Sequence, residues 1–389
     1  MGYSRKLKSR IQARLQNGSE KIQVVIGPRQ VGKSTAIQQA LEGRGVYETA
    51  DAPFPLEAIE INLWWDRALE SGDKILAIDE IQKIQGWSEV IKKRWDEAKS
   101  GKTPRLKVIL SGSAALAIEK NLRESLAGRY ELIRADHWNF SEAATLFHFD
   151  LRRFIEFGCY PGSMDLLQDP TRWGAYIRDS IIEPVLGRDI LQLHPVQQPA
   201  LLRQLFSVAA ANPAQVVSLH KLQGQLQDRG AIATLQHYLH LLSQGFLVSG
   251  IQKFSPAAIR TRKSSPKLVI HDNGLLRALE RPVGAPLGAE RFGRYFKNAV
   301  AARLLEAGWE TYYWNDRQLE VDLVVLGPSG EKLAIEVKSG ETSPAELRGL
   351  REFHKRFTEF EPCLISLIDQ KIEGIRSWSA AEVLSLSSI

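Results

Sequence analysis

Gly27-Pro28-Arg29-Gln30-Val31-Gly32-Lys33-Ser34 sets two glycines, a lysine and a hydroxyl at the spacing G-x-x-x-x-G-K-[ST]. Glycines at those places let backbone N–H groups curl around phosphate oxygens, and a helix starting at the lysine adds the positive end of its dipole. Lys33 would then reach the β- and γ-phosphates of ATP, and the Ser34 hydroxyl would ligate Mg²⁺. Thr35, one residue later, reads first as a helix-packing residue, with a place at the end of the nucleotide-contacting stretch as its other reading. The apolar run Ile22-Gln23-Val24-Val25-Ile26 before the loop and the helix-compatible run after it supply the strand, loop and helix that this chemistry needs.

Hydrolysis also needs a metal ligand and a group that orients water. Lys74-Ile75-Leu76-Ala77-Ile78 runs apolar into Asp79-Glu80. An unbroken apolar strand is buried on both faces, as in a parallel sheet, so the two acids emerge at its C-terminal end, where ligands bind in such sheets. Asp79 is expected in the Mg²⁺ shell, and Glu80 is expected to polarise the attacking water. A third strand, Leu106 to Leu110, ends in Ser111-Gly112-Ser113; Ser111 is the first choice for a γ-phosphate sensor and Ser113 the second. Farther on, Arg123 and Arg129 are the two candidates for an arginine supplied to a neighbouring subunit's nucleotide, with a plain surface role as the competing reading.

These residues must be carried by a chain of 389 residues, long enough for several cores. Charged residues make up 25% and apolar ones 44%, ordinary values for a globular protein. No apolar run approaches membrane-spanning length, Met1 to Arg14 lacks a secretory apolar region, and a cytoplasmic location is expected. Cys159 and Cys363 are the only cysteines; they read as buried small hydrophobes rather than a disulfide framework, and no Cys/His cluster has zinc spacing. Near the N-terminus, Leu7, Ile11 and Leu15 recur every four residues among Arg5, Lys6, Lys8, Arg10 and Arg14, the pattern of an amphipathic helix with a basic outer face.

The net charge is +6, unevenly spread. Residues 253–300 hold ten lysines and arginines against three acids, and Lys253, Arg260, Arg262, Lys263 and Lys267 precede the first of those acids, Asp272. Upstream, the pattern predicts helices over Leu201–Ala211, Leu219–Leu226 and Thr234–Ser243, then an extended stretch at Phe246–Ile251. Three helices, a hairpin and a basic loop outline a winged helix, and the five cations are expected to contact DNA phosphates. A packing or oligomerisation module with a solvated loop is the alternative.

Beyond residue 290 the order is helix, three strands, helix, strand. Glu320-Val321-Asp322 and Glu336-Val337-Lys338 fall on successive strands, and alternation puts Glu336 and Lys338 on one face. Asp followed by Glu-x-Lys resembles the metal site of the PD-(D/E)XK nuclease-like fold. That resemblance implies Mg²⁺ held by Asp322 and Glu336, with Lys338 activating water.

Taken together, the loop at 27–34, the strand into Asp79-Glu80, Leu110 to Ser113 and Leu126-Ala127-Gly128-Arg129 resemble prokaryotic AAA+ ATPases with an AAA_14-type P-loop domain and a C-terminal DUF4143 domain. The resemblance covers nearly the whole chain, including the turn Gly158-Cys159-Tyr160-Pro161-Gly162 and Arg188-Asp189-Ile190, which it implies lie near the nucleotide or a subunit interface. It implies an α/β fold with a P-loop core over 1–140, a helical lid over 141–196, a winged helix with a basic wing over 197–270, and a nuclease-like α/β domain over 271–389. One departure stands out: where related chains carry a glutamate in a Phe-Glu-Asn context, this one has Tyr295-Phe296-Lys297-Asn298. The reversed charge weakens any Mg²⁺ site there. The expectation is therefore an ATPase, a homo-oligomer such as a hexameric ring, that binds and remodels DNA, branched DNA among its forms, with a nuclease-like domain that holds DNA without cutting. The alternatives are an ATP-gated Mg²⁺-dependent nuclease and a nucleotide-dependent scaffold without DNA.

Overall fold

In a computed structural model, residues 5–17, 19–113, 115–193, 196–225, 231–256 and 264–388 are described. The chain divides into two compact units, Met1–Ala135 and Asp136–Ile389. Among the described residues, no helix is long and apolar enough to cross a membrane.

The first unit is built on five parallel strands: β1 (Ile22–Ile26), β2 (Val46–Thr49), β3 (Ile75–Asp79), β4 (Lys107–Gly112) and β5 (Tyr130–Arg134). Their order across the sheet is β2-β3-β4-β1-β5. Parallel neighbours require crossovers, and helices α1 (Lys6–Gln16), α2 (Lys33–Leu41), α3 (Ile59–Glu70) and α4 (Trp87–Lys99) pack in this unit. β1 and β3 are buried along their whole length, so their sequences are almost uniformly apolar. The order puts β4 between β1 and β3, pairing Val25 with Ser111 and Ile78 with Leu110. The phosphate loop leaving β1, the acids ending β3 and the serines ending β4 thus meet at one edge. Leu7, Ile11 and Leu15 of α1 are buried, as their spacing predicts.

The second unit holds an eight-stranded mixed sheet in the order β13-β12-β11-β10-β9-β7-β8-β6. These are β6 (Gln215–Val216), β7 (Val248–Lys253), β8 (Lys267–Ile270), β9 (Glu310–Asp316), β10 (Leu319–Leu326), β11 (Lys332–Lys338), β12 (Glu361–Ser366) and β13 (Arg376–Ser379). The helices Pro199–Ala211, Leu219–Gln225 and Ile232–Gln244 precede the antiparallel pair β7–β8, which is the helix and hairpin order read from the sequence. The boundary expected at 270/271 does not separate two sheets: β7 also pairs in parallel with β9, Gln252 facing Tyr312 and Lys253 facing Tyr313. An unpaired edge of β7 would leave its N–H and C=O groups without partners, and β9 supplies them. On one face of this sheet, Trp314, Val321, Val324 and Leu364 share a core with Phe360 and with Leu350 and Phe353 of the helix Arg348–Arg356. Cys159 and Cys363 are both free and buried.

Candidate functional site

The loop after β1 takes its shape from backbone that only certain residues allow. Gly27 lies flat against Ala135, where a Cβ would come within 2.1 Å of the Ala135 carbonyl oxygen. Gly32 has φ +85°, a left-handed conformation that glycine adopts without cost. Lys33 opens α2, is buried, and its Nζ donates to the carbonyls of Gly27 at 3.0 Å and Pro28 at 2.6 Å. The ammonium therefore sits over the hollow of the loop. From α1's N-cap, the buried Arg5 donates to the Val31 carbonyl at 2.5 Å and braces the loop from behind.

Asp79 gathers the rest. Its Oδ2 accepts from Ser34 Oγ at 2.5 Å and from the Tyr47 hydroxyl at 3.1 Å, while its Oδ1 accepts from Ser111 Oγ and from the Glu80 N–H at 3.1 Å. Burial, then the neighbouring Asp79 carboxylate, pushes the Tyr47 phenol above its ordinary range, which keeps it a hydrogen-bond donor. Glu80 turns out of the strand with φ 51°, and its Oε2 accepts from Ser113 Oγ at 3.2 Å and from Gln82. Lysine, hydroxyl, metal-type carboxylate and a half-exposed glutamate thus converge at the strand ends. Such an arrangement can bind a magnesium-nucleotide and orient water at its terminal phosphate.

A second cluster lies in the other unit. Asp322 sits on β10 where the register with β9 shifts between Val321 and Val324, an irregularity that re-aims its side chain. Its Oδ2 accepts from the Val337 N–H at 3.0 Å and its Oδ1 from Lys297 Nζ at 2.6 Å. Lys267, arriving from β8, donates to Glu320 Oε1 and to the Asp322 carbonyl, both at 3.0 Å. Lys338 lies 3.3 Å from Glu336 and 3.4 Å from Glu346. Burial would raise the Asp322 carboxyl, but the ammonium groups of Lys297 and Lys267 outweigh it and hold it below the usual range. Glu336 moves the other way, pushed up to about 8 by burial and then by Asp322.

A third cluster, unannounced by any motif, surrounds Glu306. His137 Nδ1 is in hydrogen-bond contact with Glu306 Oε1, and His137 Nε2 meets the Tyr160 hydroxyl at 2.9 Å. His271 Nδ1 lies 3.5 Å from Glu306 Oε1, and Arg303 Nη1 lies 3.4 Å from Oε2. Burial would raise Glu306, yet His137 and Arg303 hold it well below the usual carboxylate range.

Residues 19–144 match the family model described as an AAA domain. The chain carries an AAA domain. Two further models match downstream, both described as domains of unknown function: DUF8612 over residues 148–288 and DUF4143 over residues 292–386. An uncharacterized protein of Mycobacterium tuberculosis is 29% identical over 359 residues, 87% of this chain and 75% of that protein. One from Haemophilus influenzae is 23% identical over 329 residues, 78% and 79% of the two chains. A Walker-type ATPase of Pyrococcus abyssi aligns with 72% of this chain and 96% of its own at 15% identity, with a TM-score of 0.48.

Within the AAA domain, Lys33, Ser34, Asp79, Glu80, Ser111 and Ser113 come together at one edge of the sheet. Thr35 is exposed on α2, so the packing role open to it in the sequence is not the one it plays. Arg129 does not join them. Because β5 runs parallel to β1, with Ile22 beside Tyr130, Arg129 stands at the opposite edge, in a two-pronged pair with Asp96 at 2.9 and 3.1 Å. Arg123 is exposed on the helix Ala115–Ser125.

Of the five cations expected to meet DNA, Lys267 is 2% exposed and committed to Glu320 and Asp322. It is a site residue of the second cluster, not part of a phosphate-binding surface. Arg260, Arg262 and Lys263 lie outside the described residues, and Lys253 is half-buried at the end of β7. The turn at Gly158 to Gly162 packs on Asp272: the Cys159 N–H donates to its Oδ2 at 3.0 Å, and a Cβ on Gly158 would lie 1.9 Å from its Oδ1. Sequence reasoning missed Tyr47 and gave Arg5 and Lys267 other roles, because each acts on residues far away in the chain, where no local spacing signals the contact.

The Mg²⁺ site that the nuclease-like resemblance implies does not fit the residues present. Both oxygens of Asp322 are already engaged, one of them by the Lys297 ammonium.

Proposed function

We propose that this chain binds ATP with Mg²⁺ at the loop 27–35 and hydrolyses it, and that as a homo-oligomer it uses the turnover to engage and remodel DNA. The observation that carries the ATPase reading is the hydrogen-bonded chain from Ser34 through Asp79 to Ser111, set beside the buried Lys33. Lys33 would pair with the β- and γ-phosphates, while Ser34 and Asp79 would hold the ion. Bound there, Mg²⁺ supplies positive charge against the phosphate oxygens. Glu80, held by Ser113 and Gln82, would orient the attacking water, and Ser111 links the strand end to the metal-type carboxylate.

The DNA reading is supported by the three helices before the β7–β8 hairpin and by the run of cations between those strands, with Arg260, Arg262 and Lys263 as its core and Lys253 beside them. The nuclease-like domain would hold DNA without cutting it, because Lys297 takes the place a divalent ion would need. For an arginine acting between subunits, Arg123 replaces Arg129, whose guanidinium is committed to Asp96.

The test is the ATP turnover of wild type, Lys33→Ala and Glu80→Gln, each with no DNA and with duplex, forked and four-way-junction DNA. Turnover in the wild type, lost in both variants while Glu80→Gln still binds nucleotide, is the expected result. Turnover indifferent to Lys33 would sink the nucleotide assignment. Turnover insensitive to every DNA form, together with no DNA binding at low salt, would remove the DNA reading and leave the ATPase.

A further inference from the structure

The cluster around Asp322 contains its own cations. Lys267, Lys297 and Lys338 stand against Glu320, Asp322, Glu336 and Glu346, with the three lysines drawn from β8, the helix Ala289–Glu306 and β11. A hard divalent ion needs several oxygen ligands at about 2.0–2.6 Å. Lys297 Nζ already lies 2.6 Å from Asp322 Oδ1, inside the shell such an ion would occupy, and the other oxygen accepts from the Val337 N–H. Lys267, 2% exposed, stands 3.9 Å from the same Oδ1 as a second fixed positive charge. A divalent ion added here would bring more positive charge against the ammonium groups already fixed on Asp322 in a largely buried site, an arrangement that proteins avoid.

We infer that Lys297 is a built-in counter-cation: it fills the cation's place between Asp322 and Glu336 and by itself withholds this site from Mg²⁺-class ions. The inference deepens the reading of the nuclease-like domain proposed above, and it is tested without ATP or DNA. Its premises are the carboxylates that two paired strands bring together, which would otherwise be adequate oxygen donors. Lys297→Glu replaces the blocking charge with a third carboxylate and converts the cluster into an Asp-Glu-Glu oxygen site.

The experiment uses Mn²⁺ as the probe on the full chain, read by the loss of the free-ion electron paramagnetic resonance signal. All variants carry Asp79→Asn, so that the nucleotide site contributes no ion binding. The parent is expected to show no Mn²⁺ binding that depends on Asp322. K297E is expected to bind at least about tenfold more tightly than the parent, a change of about 1.4 kcal/mol, and to lose the gain when D322N is added. Binding by the parent that D322N abolishes would overturn the inference, and this arm requires no change at Lys297. So would a folded K297E, with the parent's circular dichroism spectrum, that gains no site. Lys297→Gln, which removes the charge and keeps a polar side chain, provides the second variant. It is expected to show a weaker gain, also dependent on Asp322.

Discussion

Lys33 meets its own loop's carbonyls, so the phosphate hollow has its shape before a nucleotide enters, and the side chains that fix this shape are few. Arg5 is one of them. A charged donor bonded to a buried carbonyl is worth about 1.5–3 kcal/mol. Arg5→Ala is therefore expected to weaken nucleotide binding by roughly tenfold or more, measured with a fluorescent ATP analogue. It raises KM with little change in kcat, because Arg5 touches the loop and not the reacting atoms. An equal loss of kcat would show that it does more than position the loop.

Glu306 gives a residue-scale prediction on pH. Its carboxyl lies well below its ordinary value of 4.5 in the folded chain, so the stability it contributes is present above that value and is lost as pH falls through the folded one. Wild-type melting temperature should decline as pH drops below about 4.5, and Glu306→Gln should flatten that acid limb. At neutral pH the same variant leaves Arg303 and His137 facing a neutral amide, at a cost of about 3–5 kcal/mol. A melting curve unchanged at pH 7 would contradict the buried pairing.

At the scale of elements, position matters more than identity. Asp79, Ser111 and the phosphate loop meet only because β4 lies between β1 and β3; each element alone is an ordinary apolar strand. The fit of β1's exit against Ala135 is tight enough that Gly27→Ala should abolish nucleotide binding while leaving the second unit's unfolding transition in place, visible as one shifted and one unshifted step on calorimetry. In the second unit, the helix Arg348–Arg356 stays on the sheet through Phe353, whose ring lies 4.7 Å from that of Phe357 and 5.6 Å from that of Phe360. Phe353→Ala should cost about 3–5 kcal/mol, measured by denaturant unfolding. The register shift at Asp322 is also an element-level device, since the irregularity of β10 aims that carboxylate.

For the molecule as a whole, the basic stretch sets how it would meet a polyanion. If Arg260, Arg262 and Lys263 neutralise phosphates, replacing them with alanine should reduce the dependence of log K on log salt by about 0.9 for each phosphate they no longer neutralise on duplex DNA. Lys267→Ala should leave that slope unchanged, because its ammonium is buried against Glu320 and Asp322. A slope unaffected by the triple change would place DNA binding, if present, on another surface. Much of this molecule was legible in its sequence. The phosphate loop, the buried strand ending in Asp79-Glu80, the serines ending β4, the helices between 199 and 244, and the strands β9 to β12 announce themselves through spacing, alternation and apolar runs, which are local properties of the chain; the short β6 and β13 do not. Contacts between distant segments are not local. That Arg5 braces Val31, that Arg129 stands at the far edge of the sheet, that one sheet crosses the expected domain boundary and that Lys267 is buried among acids depend on strand order and register. The sequence pattern determined which residues could do chemistry, whereas tertiary packing decided which were brought together and which of their charges were already neutralised. Lys297 shows both: its reversed charge is visible in the sequence, and only the fold puts that charge on Asp322.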